Sequence, residues 1–191
     1  QLTNQIMNDK RYTKEELTFQ GKTCAVKMVT NICSYRPRIK FISHLLCLLK
    51  KEKKRQILVL SSRRGHLKAI YDMLIYMGLT DDDLGFYIGG MKQIDLKKSE
   101  LKTIVLGTYA MSSEGLDIKT LNTLVLASPM SNIVQSVGRI LRDTHIDIKP
   151  EVYDICDNFS CFVRQADKRK RTYKKEKYDI YKIDIDTYIR T

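Results

Sequence analysis

ILVLSSRRGHLKAIYDML, residues Ile57 to Leu74, is the stretch from which the fold can be read. Ile57-Leu58-Val59-Leu60 is an unbroken apolar run. A strand with one wet face would alternate polar and apolar residues, so an unbroken run predicts a strand covered on both faces. Ser61, Ser62 and Arg63 then turn the chain. Leu67, Ile70, Tyr71 and Leu74 follow at i, i+3, i+4 and i+7, the spacing of one helix face.

Moving outward, the pattern repeats. Phe86-Tyr87-Ile88, Thr103–Leu106, Thr123–Leu126 and Val152–Ile155 are further short runs rich in branched and aromatic residues, and Ile133, Val134, Val137, Ile140 and Leu141 form a helical face after the fourth strand. Strands alternating with helices predict an α/β chain with a parallel sheet and right-handed crossovers. Upstream, Ile39, Phe41, Ile42, Leu45, Leu46, Leu48 and Leu49 make a broad apolar helix face over residues 38–51. Lys50, Lys51, Lys53, Lys54 and Arg55 close that helix with cations suited to its negative pole.

These patterns divide the chain into a core at 38–158, an N-terminal extension or edge element at 1–37, and residues 159–191 packed on the same domain. In the first part Cys24–Val29 reads as either an edge strand or a short helix. The last part begins as a basic helix, VRQADKRKRTYKKEKY at 163–178, with Phe159, Phe162, Val163, Ala166 and Tyr173 on its narrow apolar face. Alternation from Ile180 to Tyr188 then predicts a final strand.

Thirty-four Lys and Arg against 22 Asp and Glu give a net charge of +12. That excess favours a polyanionic partner, nucleic acid before an anionic membrane, with a merely solvated basic surface as the plain alternative. No apolar run approaches membrane-spanning length and no signal-peptide pattern opens the chain, so the expectation is an intracellular protein without a membrane partner. Cys24, Cys33, Cys47, Cys156 and Cys161 lack a CxxC pair and read as reduced thiols. His44, His66 and His145 keep no ligand spacing to them, and no metal site is expected. The chain begins at Gln1 rather than Met, which suggests a piece of a longer protein.

The chemistry concentrates in SNIVQSVGRILR, residues 131–142. On a helix, Gln135, Gly138, Arg139 and Arg142 fall on one stripe, with Val134, Val137 and Leu141 opposite. Two guanidinium forks and an amide on one face, with a glycine leaving room between them, suit phosphate oxygens better than two lysines would. Ser112, Ser113 and the Gly115 backbone at a strand-to-helix turn can donate to an anion, and Asp117 just beyond can accept from a ribose hydroxyl. Ser61, Ser62 and Arg63 end a strand at the sheet edge where open α/β folds place ligands. Gly21-Lys22-Thr23 imitates the end of a phosphate-binding loop, but position 16, where that loop needs glycine, is Glu16.

QSVGRILR resembles motif VI of superfamily-two helicases. The stretch from Gly107 to Ile118 is similar to motif V, Ile57–Arg63 to motif IV, and Phe86–Gly90 to the segment after it. Four matches in order, over about residues 38–157, identify the chain as a C-terminal RecA-like helicase domain, which implies a three-layer α/β fold with a central, mainly parallel sheet of five to seven strands. Details of motif VI and of the basic tail are similar to DNA-directed members: helicases of large cytoplasmic DNA viruses, phage recombination helicases and the repair and transcription translocase. The resemblance implies that Gln135, Arg139 and Arg142 face the γ-phosphate, with Arg142 as arginine finger, and that Gly115 and Asp117 link nucleotide to track. It implies that Ser61, Ser62, Arg63, Gly89, Gly90, Thr108 and Ser112 meet a nucleic-acid backbone, expected to be DNA, and the basic tail adds Lys168 and Arg169. The cofactor would be ATP with Mg, shared with an N-terminal RecA-like domain. Because this sequence has neither a phosphate-binding loop nor an acidic box, the chain by itself is expected not to hydrolyse ATP. The location would be cytoplasmic for a viral protein and nuclear otherwise. The alternative reading is a non-catalytic nucleic-acid-binding module on a helicase-derived fold.

Overall fold

The computed structural model describes residues 6, 8–114, 116, 118–133, 138 and 148–183. In chain order the named elements are α1 (Ala25–Ser34), α2 (Arg36–Lys50), β1 (Ile57–Ser61), α3 (Arg64–Tyr76), β2 (Leu84–Tyr87), α4 (Gln93–Glu100), β3 (Ile104–Thr108), α5 (Tyr109–Glu114), β4 (Thr123–Leu126), β5 (Glu151–Asp154) and α6 (Ser160–Lys175). The five strands form one sheet in the order β2-β3-β1-β4-β5, and every pairing is parallel.

The unbroken apolar runs are explained by what lies on each face. Ile57 and Val59 of β1, with Ile104, Leu106 and Val125, join a cluster built on Ile39, Ile42, Leu45, Leu46 and Leu49 of α2 and Leu67, Ile70 and Leu74 of α3. Leu58 and Leu60, with Val105, Leu124 and Leu126, face the other way onto Leu96 of α4, Tyr109 of α5, Leu116, Leu121 and Ile133. Alternate residues of one strand therefore enter two separate cores. Each fully buried aliphatic side chain adds about 1.5–3 kcal/mol relative to exposure, so the helix layers are held chiefly by this burial. The approach of α4 to β2 is close enough to require glycine: a Cβ on Gly85 would stand 2.8 Å from the Ser99 Cα.

The segment open between strand and helix resolves as helix α1, whose Met28, Val29, Ile32 and Cys33 are buried. They form a third cluster with Tyr12 from the N-terminal stretch and Phe162 of α6. Tyr12, α1 and α6 thus pack on one another. The expected final strand is corrected over its described part: residues 180–183 belong to no strand, and Ile180, Tyr181 and Ile183 are exposed. Alternation by itself does not make a strand, which needs a ladder with a neighbouring strand. Residues 184–188 lie outside the described residues.

Helix α2 runs against the strand direction. In its first turn, Arg38 reaches Ala127 and Asp157, just beyond the ends of β4 and β5. At its far end, Lys50 pairs with Asp83, which precedes β2. The start of α2 therefore stands at the carboxyl edge of the sheet, where parallel α/β folds gather their chemistry.

Candidate nucleic-acid and nucleotide edge

At the carboxyl edge three strand-end corners are tied together through Ser128. The Ser62 amide donates to the Ser128 hydroxyl at 2.9 Å, and that hydroxyl lies 3.2 Å from the Ser62 hydroxyl. The Tyr109 hydroxyl, from the corner after β3, donates to the Ser128 carbonyl at 2.6 Å. The corners after β1, β3 and β4 are thereby held as one rigid rim. Ser128 and Tyr109 escape a sequence reading, because only the folded sheet brings these three loops together.

Beneath the rim the corner after β1 is sealed. The Ser61 side chain is fully buried, its hydroxyl 2.9 Å from His66 Nδ1 and accepting from the Arg63 amide at 3.2 Å. Burial, assisted by the Arg38 charge, lowers the His66 pKa to about 3, so His66 is neutral. Ser112 is likewise buried, and its hydroxyl donates to the Tyr109 carbonyl. These placements correct the expectation for Ser61 and Ser112: their hydroxyls stabilise the corners from inside and do not face a strand. Thr108 is half-buried, its hydroxyl accepting from the Met111 amide at 3.4 Å.

The two neighbouring arginines of the first corner have different positions. Arg63 turns to α1, where Nη2 donates to the Val26 carbonyl at 3.1 Å and Nε to the Thr30 hydroxyl at 3.2 Å. Arg64, at the start of α3, is exposed and extends across the corner after β2. A Cβ on Gly89 would lie 3.0 Å from Arg64 Nη2 and 3.8 Å from Met111 Sδ. Gly90 follows with φ +87, a left-handed conformation that glycine adopts without steric cost. The Gly89–Gly90 pair thus keeps a low surface over which an exposed guanidinium extends. Arg64 is a candidate that the sequence reading passed over; its only sequence signal is that it opens a helix beside Arg63.

Adjacent cations on α6 also diverge. Lys168 is exposed, together with Arg164, Lys170, Arg171, Lys174 and Lys175. Arg169, expected at a nucleic-acid surface, is instead 2% exposed. Its Nε donates to Asp154 at 2.8 Å and its Nη1 to the Met130 carbonyl at 2.8 Å. Burial opposes the Arg169 charge, but the Asp154 carboxylate outweighs it and keeps the guanidinium protonated. The reason is helical geometry: a step of about 100° per residue turns Arg169 inward where Lys168 points out.

Gly115, Asp117, Gln135, Arg139 and Arg142 lie outside the described residues. Gly138, between the two arginines in sequence, is described, and no atom comes within 4 Å of where a Cβ would stand. Among the described residues, no three His, Cys, Asp or Glu side chains gather as a metal site.

No family model matches the chain. It is 41% identical over 165 residues to the protein of Acanthamoeba polyphaga mimivirus named "Putative ATP-dependent RNA helicase", covering 86% of this chain and 32% of that protein. It is 26% identical over 176 residues to the ATP-dependent DNA helicase UvsW of Enterobacteria phage T4, covering 84% of this chain and 33% of that protein. The crystal structure of UvsW matches over 96% of this chain and 40% of its own, with a TM-score of 0.69 and 20% identity. The C-terminal domain of the DEAD-box protein Dbp5 matches over 72% of this chain and 78% of its own, with a TM-score of 0.53 and 13% identity. The structural likenesses concern the fold, and the chain spans about a third of the length of these two helicase relatives.

Proposed function

We propose, on the premise that this chain is a relative of viral and phage superfamily-two helicases and carries their C-terminal RecA-like fold, that it works as the second motor domain of an ATP-driven helicase or translocase. The observation that carries the reading is the carboxyl edge. One rigid rim, knotted at Ser128, unites the corners after β1, β3 and β4, and an exposed Arg64 lies over Gly89 beside it. In this reading Arg64, Ser62, Thr108, the Gly89–Gly90 backbone and Lys168 face strand phosphates. Such contacts position a strand without reading its sequence. DNA is the expected track, and competition with a matched RNA strand tests that choice.

Gln135, Arg139 and Arg142 follow β4 in the chain, and Gly138 between them has open space at its Cβ position. In the proposal these three hold the γ-phosphate of ATP, bound with Mg by an N-terminal motor domain, and Gly115 and Asp117 connect nucleotide to track. The bound nucleotide supplies the free energy. The chain's own residues neutralise charge on it and hold the strand. A planar fork with fixed donors suits charge that develops on phosphoryl oxygens, so Arg142 is assigned as the finger.

The test uses the full-length protein. Arg142→Ala is expected to lower nucleic-acid-stimulated turnover about 10³- to 10⁵-fold while nucleotide affinity changes little, and Arg142→Lys to restore little of it. Steady-state hydrolysis, nucleotide titration and thermal unfolding are measured together. A folded Arg142→Ala protein that turns over at the wild-type rate would reduce the stripe to a basic surface. A wild-type protein that binds strands without hydrolysing ATP would establish the non-catalytic module.

A further inference from the structure

Phe19 is fully exposed, at 111% of its reference area, whereas Phe41, Phe86, Phe159 and Phe162 are buried or half-buried. It sits in the turn of a small hairpin at residues 17–23, where Leu17 and Thr23 pair antiparallel. The turn is closed by the Thr18 amide donating to the Lys22 carbonyl at 2.8 Å, the Gly21 amide to the Thr18 carbonyl at 3.0 Å, and the Lys22 amide to the Thr18 hydroxyl at 3.2 Å. Gly21 supplies the positive φ of +72 that the turn requires. At its base the Cys24 amide donates to the Glu16 carbonyl at 2.6 Å, and Asn31 of α1 donates to the Glu16 carboxylate at 3.1 Å. The ring is therefore presented on a braced turn.

Its position gives the ring a neighbourhood. The hairpin leads directly into α1, and Arg63, from the corner after β1, holds the Val26 carbonyl and the Thr30 hydroxyl of that helix. The hairpin thus stands at the carboxyl edge, on the side of Arg63 and Arg64, with Lys22 in its own turn and Lys27 at the start of α1. Thr18, Gln20 and Gly21 flank Phe19 in the turn, Leu17 and Val26 on either side of it in the chain are also exposed, and Phe19 is the one aromatic residue between Tyr12 and Tyr35. A planar ring beside cations matches an unpaired nucleobase next to its phosphates, because stacking needs only an open π-face and tolerates any base.

We propose that residues 17–23 form a base-stacking finger, with the Phe19 ring receiving an unpaired base of the strand held at the carboxyl edge. This rests on the nucleic-acid track proposed above. In the full-length protein, affinities are measured for a twelve-nucleotide thymidine strand and for an abasic strand of the same length. Phe19→Ala is expected to weaken binding of the base-bearing strand about 5- to 100-fold and to leave the abasic strand, the salt slope and Tm unchanged. Phe19→Trp is expected to restore binding. Equal affinity of wild type and Phe19→Ala for the base-bearing strand overturns the finger, as does an equal loss on the abasic strand. A fall in Tm with binding unchanged assigns the ring to a contact with another part of the longer protein. Wild-type protein that binds neither strand removes the track itself, and the finger with it.

Discussion

Arg38 and Arg169 each carry a buried guanidinium to an aspartate at or just beyond the end of β5, and each also reaches a carbonyl in the stretch after β4. The Arg38 pair is saturated. Nε and Nη2 meet the two Asp157 oxygens at 2.8 and 2.9 Å, Nη1 meets the Ala127 carbonyl at 2.6 Å, and the Tyr12 hydroxyl donates to the same carboxylate. Both side chains are wholly buried. The Arg169 pair is not saturated. Arg169 and Tyr173 both donate to Asp154 Oδ2, while Oδ1 is buried with no hydrogen-bond partner, and the Asp154 side chain remains 14% exposed. The first pair joins the N-terminal stretch, α2 and both strand ends; the second joins α6 to the stretch that leads into the arginine segment. A buried pair adds little net stability when complete, but a single survivor left in the interior is costly.

Breaking these pairs tests that contrast, with the larger effect expected at Arg38. Arg38→Ala strands Asp157 and the Ala127 carbonyl away from water and is expected to cost about 3–5 kcal/mol in denaturant unfolding. Replacing both partners, Arg38→Met with Asp157→Leu, should return most of that loss because no charge is left buried. Arg169→Ala is expected to cost less, about 1–3 kcal/mol, because Asp154 can rehydrate through its exposed side. Equal losses at the two sites would mean that saturation does not distinguish the pairs.

The smallest effect concerns His66, buried under the rim near Arg38. Its folded pKa of about 3 lies below the ordinary 6.5, so the unfolded chain binds a proton that the folded chain refuses. Stability is therefore complete above about pH 6.5 and falls as pH drops toward 3, by at most about 1.4 kcal/mol per unit from this group. Urea unfolding at pH 7 and pH 5.5 should show a drop in the wild type that is smaller in His66→Gln. Identical drops would place the pH sensitivity elsewhere.

Much of the architecture could be read from local pattern. The runs at residues 57–60, 103–106 and 123–126 identify strands covered on both faces, and those strands stand at the middle of the sheet. The face Leu67, Ile70 and Leu74 became the buried face of α3. Pattern failed where the deciding partner is distant in sequence. Ile180 to Ile183 alternate like a strand but belong to none. Ser61 and Ser112 have the chemistry of anion contacts, yet their hydroxyls are taken by His66 and the Tyr109 carbonyl. Arg169 belongs to a basic run, yet Asp154 and the Met130 carbonyl draw it inside.

The sequence by itself determined the α/β class, the strand and helix positions of the core, and the order of the helicase-like motifs. Period and residue type record how many faces of an element are dry, and spacing along one chain records motif order. Only the tertiary structure decided that the sheet runs β2-β3-β1-β4-β5, that Arg64 is exposed while its neighbour Arg63 is tied to α1, that Ser128 fastens three corners, and that the Phe19 ring stands in solvent. Each of these depends on groups far apart in sequence. Whether a polar side chain faces solvent or a buried partner is settled by desolvation and pairing once the fold has brought both groups together.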